Sequence, residues 1–397
     1  MPPPPGGFGG NNFGWSSAIS GDYIAVGAPN DPWYNGCGTG AVYVFRRQGR
    51  SWLEQAKLTA SDGRCADQLG YTVAIDGNLI VAGAPRAEWG SCGLGPGAVY
   101  VFRRDDQSTP TDPNDDTWFQ QARLTATEPE PWGLGASLAI SGDVIVAGPV
   151  CGGLVEVFRW NGIAWAHEQR LLGSEWDEFG TSVDIDGNRI VVGAYYKNEG
   201  KGSAYVFVRQ KSQWAEEDVL TPTDNIIPRG FGWSVGIAGG YVAVGAPGIG
   251  SSYAFVHNGD GTWDEQTRLT ASDLAMGQFG YAVNINEEFM IAGGSGDPWA
   301  YVFQRDGKQW FKLHTLFGIQ NSIGRSVAID GRFATVLSYV YAVRDQRTMR
   351  DYAAFQNCFT GDIAGDPSAT CQEFDLTGDG RVDLSDFEDF VGTFVGP

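Results

Sequence analysis

The sequence predicts an all-β protein, a seven-bladed β-propeller, followed by a small α-helical tail. A Phe-Gly pair or a close variant recurs seven times, at positions 13, 69, 134, 179, 231, 279 and 323. Each copy continues through short apolar strands and tight turns, most plainly in residues 231–271. One small four-stranded sheet cannot bury both of its faces, so sheets that recur at this spacing stack around a ring.

Each repeat contains four short strands in order. An apolar strand follows the Phe-Gly pair and leads through a turn such as Asp76-Gly77-Asn78 into a second strand, which ends in Gly-Ala-Pro or a weaker form. Paired Gly and Asp residues supply the positive φ that two-residue hairpins need. A third alternating strand follows, and the fourth carries one tryptophan per repeat. We expect a structural role for these tryptophans: Trp52, Trp118, Trp165, Trp214, Trp263 and Trp310.

The composition agrees with a large all-β chain and argues against two kinds of partner. The 397 residues include 57 glycines, and 13% of them are aromatic, as expected where tight turns are frequent. A net charge of −20 opposes binding to a phosphate backbone, which requires clustered Lys and Arg. No apolar run approaches the roughly 20 residues that span a bilayer. We therefore expect a soluble protein with no nucleic-acid partner and no membrane span.

The beginning of the chain leaves two alternatives open. Residues Met1 to Pro5 have neither a basic start nor an apolar stretch and do not form a signal peptide. The other repeats place a tryptophan-bearing strand before the next Phe-Gly pair, but only prolines and glycines stand at this place before Phe13. Either the natural start lies upstream, with a signal peptide and a fourth strand for blade 7, or the ring closes with a three-stranded blade. We favour the first.

The repeats resemble the FG-GAP repeats of integrin α-subunits and of many bacterial surface proteins, over residues 1–345. This resemblance implies a seven-bladed propeller in an extracellular or cell-surface protein, with a role in adhesion. It also implies that ligands bind the top face, which we define as the side holding the loops between second and third strands and the connections between blades. Integrin blades often hold calcium in Asp-x-Asp-x-Asp-Gly turns. None of the seven turns here has that string, so we expect no blade calcium.

Aromatic residues gather in the top-face loops, often beside carboxylates. Such side chains stack on sugar rings or contact a basic protein surface, so we expect a glycan or an extracellular protein as the ligand. The alternative is that each ring packs against the neighbouring blade. The candidate ligand-binding residues are Trp33, Tyr34, Trp89, Trp132, Trp176, Tyr195, Tyr196 and Trp299.

The six cysteines predict an oxidising compartment. Cys37, Cys92 and Cys151 fall in equivalent top-face loops of blades 1 to 3, and Cys65 lies in the connection between blades 1 and 2. We expect two disulfides among these four, for instance Cys37 with Cys65 and Cys92 with Cys151. A four-thiolate metal site is an alternative that lacks Cys-x-x-Cys spacing. In the tail, Cys358 and Cys371 are expected to pair.

The tail, residues 346–397, contains a predicted calcium loop at residues 375–386. Its carboxylate, hydroxyl and carbonyl oxygens stand at the spacing that converges on one hard cation, and Gly380 allows the sharp turn. Without a cation the carboxylates would repel one another, so Ca²⁺ would order the segment. The alternative is a solvated acidic turn. The predicted ligands are Asp375, Thr377, Asp379, the Arg381 carbonyl, Asp383 and Asp386.

The tail also resembles a dockerin module. The calcium loop is followed by a single helix, and aromatic residues at helical spacing after Asp351 recur after Asp386, which indicates a duplicated short helix. The resemblance implies a cohesin-like partner that contacts Leu384 and Ser385. The first copy, residues 340–351, lacks the ligand pattern, so a structural calcium clip is the alternative to cohesin binding.

Three functional hypotheses follow. The first is a secreted, non-enzymatic propeller that binds a glycan or protein through its top face and is attached by its tail. The second is a polysaccharide-active enzyme of the glycoside hydrolase type, which needs two top-face carboxylates at a suitable separation. The third is a rigid spacer in a surface assembly. The three histidines, His167, His257 and His314, lie away from the top face and do not suggest a Ser-His-Asp triad.

Overall fold

A computed structural model describes the greater part of the repeat region. The described residues are 11–32, 38–49, 51–87, 95–106, 116–127, 133–173, 175–224, 226, 229–271, 278–295, 299–317, 326–331, 333–336 and 339–343. They form seven antiparallel sheets, six with four strands and one with three. The all-β, seven-bladed architecture is therefore confirmed.

Within each blade the strands follow one another in chain order. Blades 1 to 3 comprise β1 (Ser16–Ser20), β2 (Tyr23–Ala28), β3 (Ala41–Gln48), β4 (Ser51–Leu58), β5 (Val73–Asp76), β6 (Leu79–Ala84), β7 (Ala98–Asp105), β8 (Thr117–Leu124), β9 (Ser137–Ser141), β10 (Val144–Gly148), β11 (Leu154–Trp160) and β12 (Trp165–Leu172). Blades 4 and 5 comprise β13 (Phe179–Asp186), β14 (Arg189–Ala194), β15 (Ser203–Gln210), β16 (Gln213–Leu220), β17 (Val235–Ala238), β18 (Tyr241–Ala246), β19 (Ser251–His257) and β20 (Trp263–Thr270). Blades 6 and 7 comprise β21 (Gln278–Ile285), β22 (Phe289–Ser295), β23 (Trp299–Asp306), β24 (Gln309–Phe317), β25 (Val327–Asp330), β26 (Phe333–Val336) and β27 (Tyr339–Ala342).

The first strand of every blade lies at the centre of the molecule. Each contacts the first strand of the next blade, and β25 of blade 7 contacts β1 of blade 1, so the seven strands enclose an axis. Three short helical turns lie between strands, at Glu175–Asp177, Lys197–Gly200 and Pro247–Ile249. All three belong to the top face, which leaves the rest of the described ring free of helix.

The two glycines of each repeat explain why the motif recurs. Within blade 1 the Gly14 N–H donates to the Gly27 carbonyl, which joins the start of the first strand to the end of the second. Between blades the backbones touch, because a Cβ on Gly27 would lie 2.0 Å from the Gly70 carbonyl oxygen of blade 2. Only glycine permits that approach. The same contact recurs at Gly83, Gly148, Gly193 and Gly245.

The Phe of the anchor pair forms the centre of its own blade's core. Phe231 is fully buried and packs edge-on against Tyr253 and Phe255 of the third strand, with ring centroids 5.4 and 6.0 Å apart. Phe13, Phe179 and Phe279 make the equivalent contacts in blades 1, 4 and 6.

The fourth-strand tryptophans join neighbouring blades, as expected of structural residues. Each indole N–H of blades 2 to 6 donates to a polar side chain on the fourth strand of the preceding blade, as Trp214 does to Glu168 at 3.0 Å. The other pairs are Trp118 with Gln55, Trp165 with Gln121, Trp263 with Glu217 and Trp310 with Gln266.

Hydroxyl side chains join the inner strands near the top face. The residue two places after the anchor glycine is Ser or Thr in six blades: Ser16, Thr72, Ser137, Ser182, Ser234 and Ser326. In blades 1 to 3 this hydroxyl donates to the anchor glycine of the next blade, as Ser16 does to the Gly70 carbonyl at 2.9 Å. In blades 4, 5 and 7 it accepts a backbone N–H of the next blade, as Ser182 does from Val235 at 3.0 Å.

Polar side chains continue these links further along the inner strands. Asp184 accepts the N–H of Ile237 in the next blade at 2.8 Å, and Asn284 accepts that of Ile329 at 3.0 Å. At the far end, turn carboxylates accept glycine N–H groups of the next blade, as Asp186 does from Gly239 at 2.8 Å. Hydrogen bonds therefore join neighbouring inner strands at three levels along the propeller axis.

Blade 7 closes the ring against blade 1. The Ser17 N–H donates to the Ser326 hydroxyl at 2.9 Å, and the Gly21 N–H donates to Asp330 at 2.6 Å. Further out, the Trp52 and Phe333 rings meet edge-on with centroids 6.0 Å apart. Three strands of blade 7 are described, and a fourth strand stays a prediction.

The chain divides after Val340 into two units, and the second is described only at residues 341–343. The predicted domain boundary after residue 345, the duplicated helix, the calcium loop at 375–386 and the Cys358–Cys371 pair all lie outside the described residues. They stay predictions.

Candidate ligand-binding site on the top face

A cavity of about 660 Å³ opens where the inner strands begin at the top face. All seven blades line it, chiefly through the three or four residues that follow each anchor pair. Among the described residues its lining contains no charged side chain and is rich in serine and threonine. This cavity offers a neutral, hydroxyl-lined mouth on the propeller axis.

Large aromatic residues stand one place after the anchor glycine in four blades. Trp15 and Tyr71 of blades 1 and 2 form one pair, with centroids 5.6 Å apart and an interplanar angle of 47°. Trp233 and Tyr281 of blades 5 and 6 form a second pair, with centroids 5.2 Å apart and the same angle. Blades 3 and 4 carry the small Ala136 and Thr181 at this place.

A second cavity of about 500 Å³ lies beside the second pair. It is built only from top-face segments of blades 4, 5 and 6, and Trp233 and Tyr281 line both cavities. Tyr195 extends the aromatic surface, since its ring lies 4.6 Å from that of Trp233, and Tyr196 follows at 6.4 Å from Tyr195. Four aromatic rings thus form a continuous wall.

Polar residues line the same cavity as this wall. Asn198 and Glu199 line the cavity from the turn Lys197–Gly200, and both adopt a positive φ, of 54° and 62°. Consecutive non-glycine residues in this region are strained, and such strain concentrates at functional sites. Lys201 and Arg229 complete the rim and are exposed. The site therefore combines apolar ring faces with amide, carboxylate and cationic hydrogen-bonding groups.

Burial raises the pKa of the Tyr195 phenol, and the nearby Glu178 carboxylate raises it further. The Tyr195 side chain therefore stays neutral at any ordinary pH. A neutral phenol can donate a hydrogen bond to a ligand and accept one from it.

The structure brings only some of the predicted ligand-binding residues together at the cavity. Tyr195 and Tyr196 lie together in the blade 4 to 5 cavity. Trp176 is 82% exposed in the turn Glu175–Asp177, which contacts the turn Lys197–Gly200 at the rim. Trp299 begins strand β23 and packs, partly buried, against a core cluster formed by blades 5 and 6. Trp33, Tyr34, Trp89 and Trp132 lie outside the described residues.

The aromatic residues next to the anchor glycines were not among the predicted ligand-binding residues. Trp15, Tyr71, Trp233 and Tyr281 stand at the top-face ends of the inner strands, whereas the prediction concerned loops. Alignment of the seven anchors in the sequence could have found them, since the residue after the glycine is aromatic in four blades, small in two and Arg325 in blade 7.

One expected disulfide is wrong. Cys151 is free and exposed, so it does not pair with Cys92. The loop between β10 and β11 is short, and the Gly152 N–H donates to Glu178 of the following connection at 3.2 Å, which holds the segment toward blade 4 rather than blade 2. Cys65 is not free, and its expected partner Cys37 lies outside the described residues.

The described part of the chain lacks two kinds of feature. It holds no group of three or more His, Cys, Asp or Glu that could bind a metal ion. Its helices are all too short or too polar to cross a membrane.

A closed ring of seven small sheets with a ligand-sized cavity at its loop face defines the class of β-propeller proteins. The sequence model of the FG-GAP repeat matches residues 4–45, 52–102 and 165–207. The chain thus contains FG-GAP repeats, which are typical of extracellular and surface proteins, arranged as a seven-bladed propeller.

No curated protein sequence matches the chain. Among solved structures, a Bacteroides uniformis protein described as a candidate 6-phosphogluconolactonase is similar, with a TM-score of 0.54 and 12% sequence identity. The alignment covers 76% of this chain and 85% of that one. At such low identity the likeness concerns the fold alone.

Proposed function

We propose that this protein is a non-enzymatic propeller that binds a glycan in the top-face cavity between blades 4 and 5. The observation that carries the proposal is the aromatic wall of Tyr196, Tyr195, Trp233 and Tyr281, which shares one cavity with the polar turn at Asn198 and Glu199. Sugar rings present apolar C–H faces and a rim of hydroxyls, and this cavity offers a partner for each.

The aromatic and the charged residues of the site have different roles in binding a glycan. Aromatic faces stack on the apolar side of a pyranose ring at little conformational cost, because the rings already pack against one another. The carboxylate of Glu199 accepts hydrogen bonds from sugar hydroxyls, and Lys201 and Arg229 donate to them. An extracellular protein ligand would instead need a broad contact surface, whereas the described geometry is a concave cavity of about 500 Å³.

The tail supports an attachment role within this proposal. The donor set of residues 375–386 is made of oxygen ligands only, which suits Ca²⁺, and the dockerin resemblance suggests a cohesin-like partner. FG-GAP repeats are typical of extracellular proteins, so we propose a secreted or cell-surface location. The propeller would then present its top face to the glycan while the tail anchors it.

A glycan array with the full chain, run with and without Ca²⁺, tests the proposal. Trp233→Ala and Tyr196→Ala should each abolish or weaken the binding found for the wild type. Phe311→Ala is the matched control, since Phe311 is an exposed aromatic of strand β24 and does not line the cavity. Glycan binding that survives both cavity substitutions would refute this site. Release of reducing ends from bound glycan would instead favour the hydrolase hypothesis.

A further inference from the structure

We infer that the ligand is an extended, neutral polysaccharide chain that crosses the mouth of the central cavity and contacts both aromatic pairs. This inference rests on the proposed function and adds a second binding region, formed by Trp15 and Tyr71, to the cavity between blades 4 and 5. It distinguishes a chain-binding protein from one that recognises a terminal sugar.

The two aromatic pairs are built in the same way. Each joins a Trp of one blade to a Tyr of the next, at the place after the anchor glycine, and each has an interplanar angle of 47°. Trp15 is 37% exposed, and all four rings line the central cavity. The pair at Trp15 and Tyr71 therefore offers the cavity a surface like that of Trp233 and Tyr281.

The ring places the two pairs on opposite sides of the axis. Blades 1 and 2 are separated from blades 5 and 6 by blades 3 and 4 on one side and by blade 7 on the other. Ala136 and Thr181 of blades 3 and 4 are too small to project as the aromatic rings do. A ligand that touches both pairs must therefore lie across the mouth.

The two cavities are adjacent along this path, because Trp233 and Tyr281 line both of them. A chain seated against Tyr195 in the outer cavity can therefore pass over these two rings to reach the central one. In the proposed mode the outer cavity, the mouth and the Trp15–Tyr71 pair together bind a ligand longer than a single sugar.

Hydroxyl groups between the pairs suit a polyhydroxyl ligand. Ser182 and Ser234 line the central cavity and each accept a backbone N–H of the next blade, which leaves the hydroxyl proton to donate elsewhere. A sugar hydroxyl lying across the mouth can accept it.

The charge distribution selects a neutral chain. The described lining of the central cavity has no charged residue, and the whole protein carries a net charge of −20. A polyuronate or sulfated glycan would be repelled by that net charge, and among the described lining residues of the two cavities the only cations are Lys201 and Arg229, at the rim of the outer one.

Isothermal titration with cello-, xylo- and manno-oligosaccharides of two and six units tests the inference. For whichever series binds, the six-unit chain should bind the wild type about tenfold or more tightly than the two-unit one, as expected for one added stacking surface. Trp15→Ala and Tyr71→Ala should each reduce six-unit affinity toward the two-unit level and leave two-unit binding unchanged, which also shows that the variants are folded. Trp233→Ala should weaken both lengths.

The outcomes separate this inference from the proposed function. Equal affinity for both lengths, or unchanged six-unit binding in Trp15→Ala and Tyr71→Ala while Trp233→Ala still abolishes it, overturns the crossing chain alone. Tighter binding of polygalacturonate than of the neutral chains overturns the neutral ligand. Absence of binding by any series, or binding indifferent to Trp233→Ala, overturns both proposals.

Discussion

We expect Asp184 to make the stability of the propeller depend on pH, and its replacement by Asn should remove that contribution. The carboxyl accepts the N–H of Ile237 from blade 5 at 2.8 Å and that of Ile185 at 2.9 Å, with no cation among the groups that act on it. Desolvation by the surrounding protein, with a smaller contribution from Asp186, raises its pKa from 3.8 to about 7.

The direction in which the free energy of unfolding changes with pH follows from proton binding. Between pH 3.8 and about 7 the folded protein holds a proton on Asp184 that the unfolded chain has released. The free energy of unfolding therefore falls as pH rises through this window and stays low above it. The shift corresponds to at most roughly 4 kcal/mol, and because the side chain keeps some solvent access we treat this as an upper limit.

Blade 6 already contains the arrangement that the Asp184→Asn substitution would create. Asn284 occupies the equivalent position in blade 6 and makes the same interblade bond to Ile329 through a neutral amide. Asp184→Asn should therefore match the wild type near pH 4 and exceed its stability at pH 8, by up to roughly 4 kcal/mol. Asn284→Asp, the matched control, should become less stable than the wild type as pH rises.

Urea denaturation of the three proteins at several values between pH 4 and pH 8 measures these differences. The wild type carries many other carboxylates, so the quantity that matters is the difference between each variant and the wild type at the same pH. Parallel pH profiles for the wild type and Asp184→Asn would refute the reasoning, because they would show that Asp184 ionises at an ordinary pKa.

Three further predictions concern the fold, the tail and the thiol. Gly83→Ala should destabilise the protein by about 2 kcal/mol or more, because its Cβ would lie 1.9 Å from the Gly135 carbonyl oxygen, whereas Gly63→Ala, whose nearest neighbour would lie at 3.3 Å, should change thermal stability little. Chelation of Ca²⁺ should lower the helical circular dichroism and protease resistance of the tail, and an Asp379→Ala variant should show no such response; an unchanged tail in the wild type would contradict the calcium loop. Iodoacetamide should alkylate Cys151 in the native protein, as mass spectrometry can establish, since this thiol is free and exposed; protection of Cys151 would show that it is covered or bonded in solution.

The fold could be predicted because its determinants are local and repeated. Seven anchors, their turn glycines and one tryptophan per fourth strand recur in the sequence, and each reflects a backbone or core requirement that every blade shares. The hairpin turns and the structural tryptophans followed from the same repetition. A structural requirement that all blades share leaves a repeated pattern, and such a pattern can be recognised in one sequence without homologues.

The candidate site was only partly predictable, because it depends on where blades differ. Tyr195 and Tyr196 were predicted from their place in a loop, and the structure brings them together in one cavity, whereas Trp299 lies at the start of a strand and packs against the core. The pairing of Trp233 with Tyr281 joins residues 48 positions apart, as their numbers show. Such proximity comes from the ring and not from local sequence.

The predicted pairing of Cys151 with Cys92 was wrong for a related reason. Loops at equivalent positions in neighbouring blades need not lie close to one another. The direction of a short loop depends on which neighbouring segment hydrogen-bonds to its backbone. Gly152 is held by Glu178, and Cys151 accordingly stays with blade 4. Spacing along the chain does not reveal this direction.

The glycine contacts between blades have a consequence for how this molecule can change. Neighbouring blades touch through bare backbone and through short side chains on the central strands. The Ser and Thr residues among these side chains also line the central cavity, but the loop residues Tyr195, Tyr196, Asn198 and Glu199 of the outer cavity take no part in these contacts. Loop segments at the ligand side can thus be exchanged, lengthened or randomised with little penalty to the closed ring. The architecture can therefore acquire new binding preferences through changes in its top-face loops while its inner strands stay the same.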